Sequence, residues 1–198
     1  MNFDKIDSVF SYKINNLSVK TGDLICTVDG GGPTISGHFW WAIGKLIPGI
    51  VDHIVIYTGP EGRCVEAGAK KRVITFNVPE SEWDAETMKN ERGFVDRLYG
   101  VAYPLADSSK KEAEERAIRI DVANYCIKQA RLQKPYNINF FKSKTEKAFY
   151  CSQLAYKAYK RHGINFNTNK GIPDIPFTDR IIYPQEVWEA CTVRKLHN

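Results

Sequence analysis

The sequence predicts one α+β domain, residues 1–198, in which an antiparallel sheet packs against helices. Three observations predict it. Short apolar runs with a two-residue period, separated by turn residues, fill positions 17–101, which is the pattern of strands. Two segments of helical periodicity follow, at 107–135 and 147–163. No internal repeat or low-complexity linker divides the 198 residues, a length that suits one core better than two.

Taken in order, the expected strands are "GDLICTV" (22–28), "DHIVIYTG" (52–59), "RCVEAG" (63–68), "RVITFNV" (72–78) and "GFVDRLYGV" (93–101). The first helix is bracketed by Ser109 and Glu112, which have capping-box spacing, and by Pro135 past its last turn. Its apolar stripe is Ala113, Ala117, Ile120, Asn124 and Ile127, widened by Ile118, Val122 and Tyr125. In the second helix, "KAFYCSQLAYKAYKRHG", Leu154, Ala155, Ala158 and Tyr159 share a face. Lys160, Arg161 and His162 suit the negative end of the dipole, and Gly163 closes it. Two starts compete. A box of Ser143 and Glu146 would begin the helix at Lys144 and leave Cys151 two turns inside. A start after Tyr150 would put Cys151 in the first turn, where free N–H groups favour a thiolate. The tail carries a strand-like "RIIY" and a turn of helix after Pro184.

Composition excludes several functions. The charge of +5 is spread along the chain, and its one tight basic run, Lys70-Lys71-Arg72, reads as a solvated turn, so nucleic acid is not an expected partner. "HFWWAIGKLIPGIV" is the most apolar run; Lys45 and Pro48 interrupt it, and it is short of the ~20 residues that span a bilayer. The N-terminus "MNFDKIDSVFSYK" mixes charges into its apolar positions, unlike a secretory leader. The five cysteines, at 26, 64, 126, 151 and 191, are odd in number with no close pair, which argues for a reducing, cytoplasmic setting. His38, His162 and His197 lack ligand spacing, and neither a metal nor another cofactor is expected. "DGGGPTISGHFWWAIGK" fails as a phosphate loop because Leu46 follows Gly44-Lys45 where Ser or Thr is required. It reads as a loop and a short apolar segment, in which Phe39, Trp40 and Trp41 are candidates to line a cleft or to touch lipid.

The hairpin "DHIVIYTGPEGRCVEAG" brings two chemical groups together. With a loop of two or four residues within Gly59–Gly62, Tyr57 faces Cys64 and Val55 faces Glu66. His53, Val55, Tyr57, Cys64 and Glu66 then share one side, with His53 and Glu66 as diagonal neighbours. A carboxylate that accepts from one ring nitrogen fixes the tautomer and frees the other nitrogen to take a proton. A three-residue loop would separate the two residues. The competing reading is a satisfied histidine in a half-buried strand beside a solvent-facing Glu66. Cys151 has its own alternative, as a buried thiol continuing the stripe 154, 155, 158.

The segments "GDLI", "DHIVIY", "VEAG", "PYNINFF", "FYCSQLAYKAY" and "IYPQEVWEA", in that order, resemble the NlpC-type papain-like cysteine peptidase superfamily. The order is that of its circularly permuted branch, which includes YiiX-like bacterial proteins and relatives of lecithin–retinol acyltransferase. Ordinary members place the cysteine helix first, whereas here His53 precedes Cys151 by 98 residues. The likeness runs from about Gly22 to Trp188. It implies a circularly permuted papain-like fold with Cys151 as nucleophile, His53 as its base and Glu66 as the third, polar residue. Gln153 stands where Glu often follows the cysteine-serine pair, and is expected to be structural. Tyr150 and Trp41 are candidate substrate contacts. The implied activity is cleavage of an amide bond in a small peptide or cell-wall fragment through an acyl-enzyme. The alternatives are a lipid-directed thioesterase or acyltransferase, and a ligand-binding module without turnover. Peripheral lipid contact is the one membrane association foreseen.

Overall fold

Alternation of apolar residues sorts the strands onto two packed faces, and the sheet they form carries helices. The computed structural model describes residues 5–31, 48–68, 70–173 and 178–198. Along the chain it has β1 (Ser11–Ile14), β2 (Leu17–Lys20), β3 (Leu24–Gly31), β4 (His53–Tyr57), β5 (Arg63–Ala67) and β6 (Val73–Asn77). These are followed by α1 (Ala85–Arg92), β7 (Val95–Ala102), α2 (Glu112–Arg131), α3 (Cys151–Lys160), α4 (Pro184–Ala190) and β8 (Arg194–Leu196). β1 and β2 make a separate hairpin, and the other strands form an antiparallel sheet in the order β6-β5-β4-β3-β7-β8. This is an α+β architecture with antiparallel sheets packed against helices.

Both faces of the larger sheet are covered. Ile54 and Ile56 of β4, with Leu24, Cys26 and Val65, pack against Val122 and Cys126 of α2 and Leu154 and Ala158 of α3. The other parity, Val55 and Tyr57 with Ile25 and Cys64, packs against Ile14, Val19, Trp83 and Met88. Every residue of β4 is therefore buried, although a strand alternates its side chains. A polar side chain on it needs a partner inside the protein.

All five strands expected between positions 22 and 101 form. Three others were not expected. Asn15 and Asn16 take positive φ values of 43° and 68° and turn β1 into β2, the two-residue hairpin geometry that Asn tolerates. β8 is a three-residue edge strand whose pairing comes from β7. "RIIY" is not a strand. Ile182 gives its N–H to the Tyr150 hydroxyl (3.0 Å) and its carbonyl accepts from Ser152 Oγ (2.6 Å), so α3 side chains take the place of a ladder.

α2 begins two residues later than Ser109 would have it, with Lys111 at the N-cap and no side-chain cap. The acidic first turn, Glu112, Glu114 and Glu115, interacts favourably with the dipole in water instead. Ala113 and Ala117 are exposed with it; a methyl group offers too little apolar area to pull charged neighbours inward. The buried stripe starts at Ile118 and runs through Val122, Ala123, Tyr125, Cys126 and Ile127.

Candidate active site

The turn after β4 has four residues, Gly59 to Gly62. Thr58 N–H donates to the Arg63 carbonyl at 2.8 Å, and Ile56 pairs with Val65 and Tyr57 with Cys64. That register sets His53 diagonal to Glu66, and Nε2 of the ring lies 2.7 Å from Glu66 Oε2. Glu66 is 0% exposed and His53 8%, so Glu66 is not the solvent-facing residue of the competing reading. With Nε2–H donating to the carboxylate, Nδ1 is the nitrogen left to exchange a proton.

α3 starts after Tyr150, whose backbone is extended (φ −100°, ψ 168°), and Cys151 is its first helical residue. The reason lies in the side chain of Gln153. Its Oε1 accepts from Tyr150 N–H (3.2 Å) and from Asn137 Nδ2 (3.1 Å). Its amide donates to the carbonyls of Ser143 (3.1 Å) and Thr145 (2.9 Å). Those two carbonyls, which a helix from Lys144 would need for its own first turn, are thereby engaged. Cys151 sits where first-turn N–H groups lie outside the helical ladder and the positive end of the dipole favours an anionic sulfur.

α3 packs on β4 and β5, and the Cys151 sulfur in its first turn lies within hydrogen-bonding reach of the imidazole of His53, the first residue of β4. Burial opposes charge on His53, but the charge of the Cys151 sulfur, a hydrogen bond to it, and the bond and charge of Glu66 outweigh burial and hold the ring's proton affinity well above its ordinary value. Burial likewise opposes charge on Glu66. Arg92, ahead of His53, overcomes it and holds that carboxyl at about 2. The Tyr136 hydroxyl is pushed up by burial, then by Cys151 and Tyr150, so it faces the sulfur region as a neutral group.

Cys151, His53 and Glu66 thus come together. Tyr150 is 3% exposed, with its hydroxyl accepting from Ile182 N–H and its ring 5.3 Å from Phe140, so it packs the base of α3. Trp41, with His38, Phe39 and Trp40, lies outside the described residues. Among the described residues no group of three or more His, Cys, Asp or Glu side chains could hold a metal ion, and no helix is long and apolar enough to cross a membrane.

Sequence reasoning missed Arg92 and Asp96. Arg92 Nη1 reaches Glu66 Oε2 at 2.5 Å, and its Nη2 binds Asp96 Oδ1. One signal was available: Asp96 shares the inward parity of β7 with Leu98, and an acidic residue at a core position requires a cation or donors.

Gly68 supplies a test of the geometry. A Cβ there would lie 3.1 Å from Cε1 of His53, closer than ordinary contact. Because Glu66 anchors the ring, Gly68→Ala should tilt it away from the sulfur. The expected result is a fall of about tenfold in Cys151 alkylation rate at neutral pH with an almost unchanged melting temperature; an unchanged rate would show that the ring has room to spare.

Comparison with known proteins returned no matching family model, curated protein or solved structure.

Proposed function

We propose that the protein is a cysteine-dependent hydrolase with a circularly permuted papain-like fold, cleaving an amide bond of a small peptide or cell-wall-derived substrate. The observation that supports it most is the buried chain from sulfur to imidazole to carboxylate, with the sulfur on the first residue of a helix.

The chemistry follows from that chain. His53 takes the Cys151 proton, and the thiolate attacks the substrate carbonyl carbon. The backbone N–H of Cys151 is the natural donor to the oxyanion, an interaction whose loss costs about 100–1000-fold elsewhere. As the C–N bond breaks, the imidazolium gives its proton to the leaving amine, and a thioester remains. Water, losing a proton to His53, attacks the thioester; the C–S bond breaks, the acid leaves, and the proton returns to sulfur.

A second reading, thioesterase or acyltransferase action on an acylated lipid, is favoured by one feature. Ile138 is 76% exposed and Phe141 59%, on the segment between Tyr136 and Tyr150 that flanks the sulfur. A panel of short peptide amides and long-chain thioesters separates the two. Peptide turnover with acyl chains ignored supports the first reading, and the reverse supports the second. In either case Cys151→Ala should reduce turnover by about 10⁴–10⁶-fold with the fold retained. Turnover that survives this substitution sinks the assignment.

A further inference from the structure

Behind the carboxylate lies an ion pair that the steps above do not use. We propose that Arg92 and Asp96 form a buried, charge-neutral pair that sets how firmly Glu66 holds the proton on His53, and so act as positioning residues for the Cys151 site. This rests on the reading of Cys151 and His53 given above.

Arg92 is the last residue of α1 and Asp96 lies in β7, four residues on. The Arg92 side chain is fully buried, and its guanidinium carbon sits 5.1, 4.9 and 5.2 Å from the ring centroids of Phe76, Trp83 and Phe94. One arm of its fork goes to the same Glu66 oxygen that accepts from His53, and the other to Asp96. Asp96 is held in turn by Thr27 Oγ1 at 2.6 Å and Trp83 Nε1 at 3.1 Å. Anchoring α1 to the sheet would need one carboxylate for one guanidinium. Here two carboxylates meet one guanidinium, which leaves a single negative charge away from water. A protonated His53 cancels it, and buried charge is strongly penalised unless cancelled. Asp96 neutralises Arg92, and Glu66 is then free to act on the imidazole.

Among the described residues, Cys151 on α3 and Glu66 on β5 act on His53 directly, Cys64 on β5, Arg92 on α1 and Asp96 on β7 surround that carboxylate, and Asp52 precedes His53 in the chain. Cys26 of β3 and Tyr136 lie near enough to feel the charge of the sulfur from other sides. Replacing either member of the pair changes the charge behind the carboxylate while leaving Cys151, His53 and Glu66 themselves intact.

The experiment is the pH dependence of iodoacetamide alkylation of Cys151 in the full chain, which needs no substrate. The rate should rise in two steps, the lower as the thiolate–imidazolium pair forms and the upper as the imidazolium loses its proton. Asp96→Asn keeps the shape and an acceptor oxygen but leaves Arg92 uncancelled, so the upper step should move down by about one pH unit. Arg92→Gln should move it up by about as much, and Arg92→Lys, which keeps the charge, should restore it. Opposite shifts are not what a purely structural role produces. An upper step unmoved in whichever variant folds, or shifts of the same sign, would overturn the proposal. Failure of both charge-removing variants to fold would make the pair a scaffold element and overturn it equally. Wild-type Cys151 reacting no faster than the other cysteines would defeat the hydrolase reading itself, an outcome distinct from an unmoved step at a reactive Cys151.

Discussion

Iodoacetamide near neutral pH is expected to alkylate Cys151 at least about 100-fold faster than Cys26, Cys64, Cys126 or Cys191. All five are free thiols, so nothing but environment separates them. Burial pushes the other four up: Cys191 to about 12, and Cys26, Cys64 and Cys126 well above the usual thiol range. Only Cys151 pairs a helix N-terminus with an imidazole whose proton affinity is itself raised. Mass mapping of the alkylated peptides over time measures the contrast, and equal rates at all five would end the nucleophile assignment.

Glu66 carries the second large effect. Glu66→Ala should cost about 3–5 kcal/mol in urea unfolding, since it leaves one arm of the buried Arg92 fork without its acceptor and removes the acceptor of His53. A related effect appears with acid. The carboxyl is held at about 2, against an ordinary value of 4.5. The unfolded chain therefore takes up its proton first as pH falls. The stabilisation, about 3 kcal/mol, is complete above roughly pH 4.5 and is lost towards pH 2. His53 runs the other way: its raised affinity stabilises the fold below the unfolded value and is lost as pH climbs through the folded one. Glu66→Gln should remove the acid-side loss, and an acid limb that persists unchanged would assign it to other carboxylates.

How much of this the sequence revealed depended on the range of the interactions. The hairpin of β4 and β5 was legible because glycines and proline mark the turn locally; a loop of two or four residues pairs His53 with Glu66, a three-residue loop would part them, and the structure has four. The start of α3 was not decided by sequence. Two caps with the right spacing competed, and the deciding bonds come from Ser143, Thr145 and Ile182, 10, 8 and 30 residues from their partners. Arg92 was hidden for the same reason. At the end of an amphiphilic helix "AETMKNER" it reads as a solvated cation, and only the sheet order, which sets β3 between β4 and β7, shows that β5, α1 and β7 converge on it.

Gln153 has a consequence beyond the helix it starts. With two acceptor and two donor bonds it welds residues 137, 143 and 145 to the turn that carries Cys151. The wall beside the sulfur therefore moves with the sulfur as one piece. What approaches Cys151 is therefore more readily altered through the exposed side chains of that segment, Ile138 and Phe141, than through its backbone, whose remodelling would displace the sulfur as well.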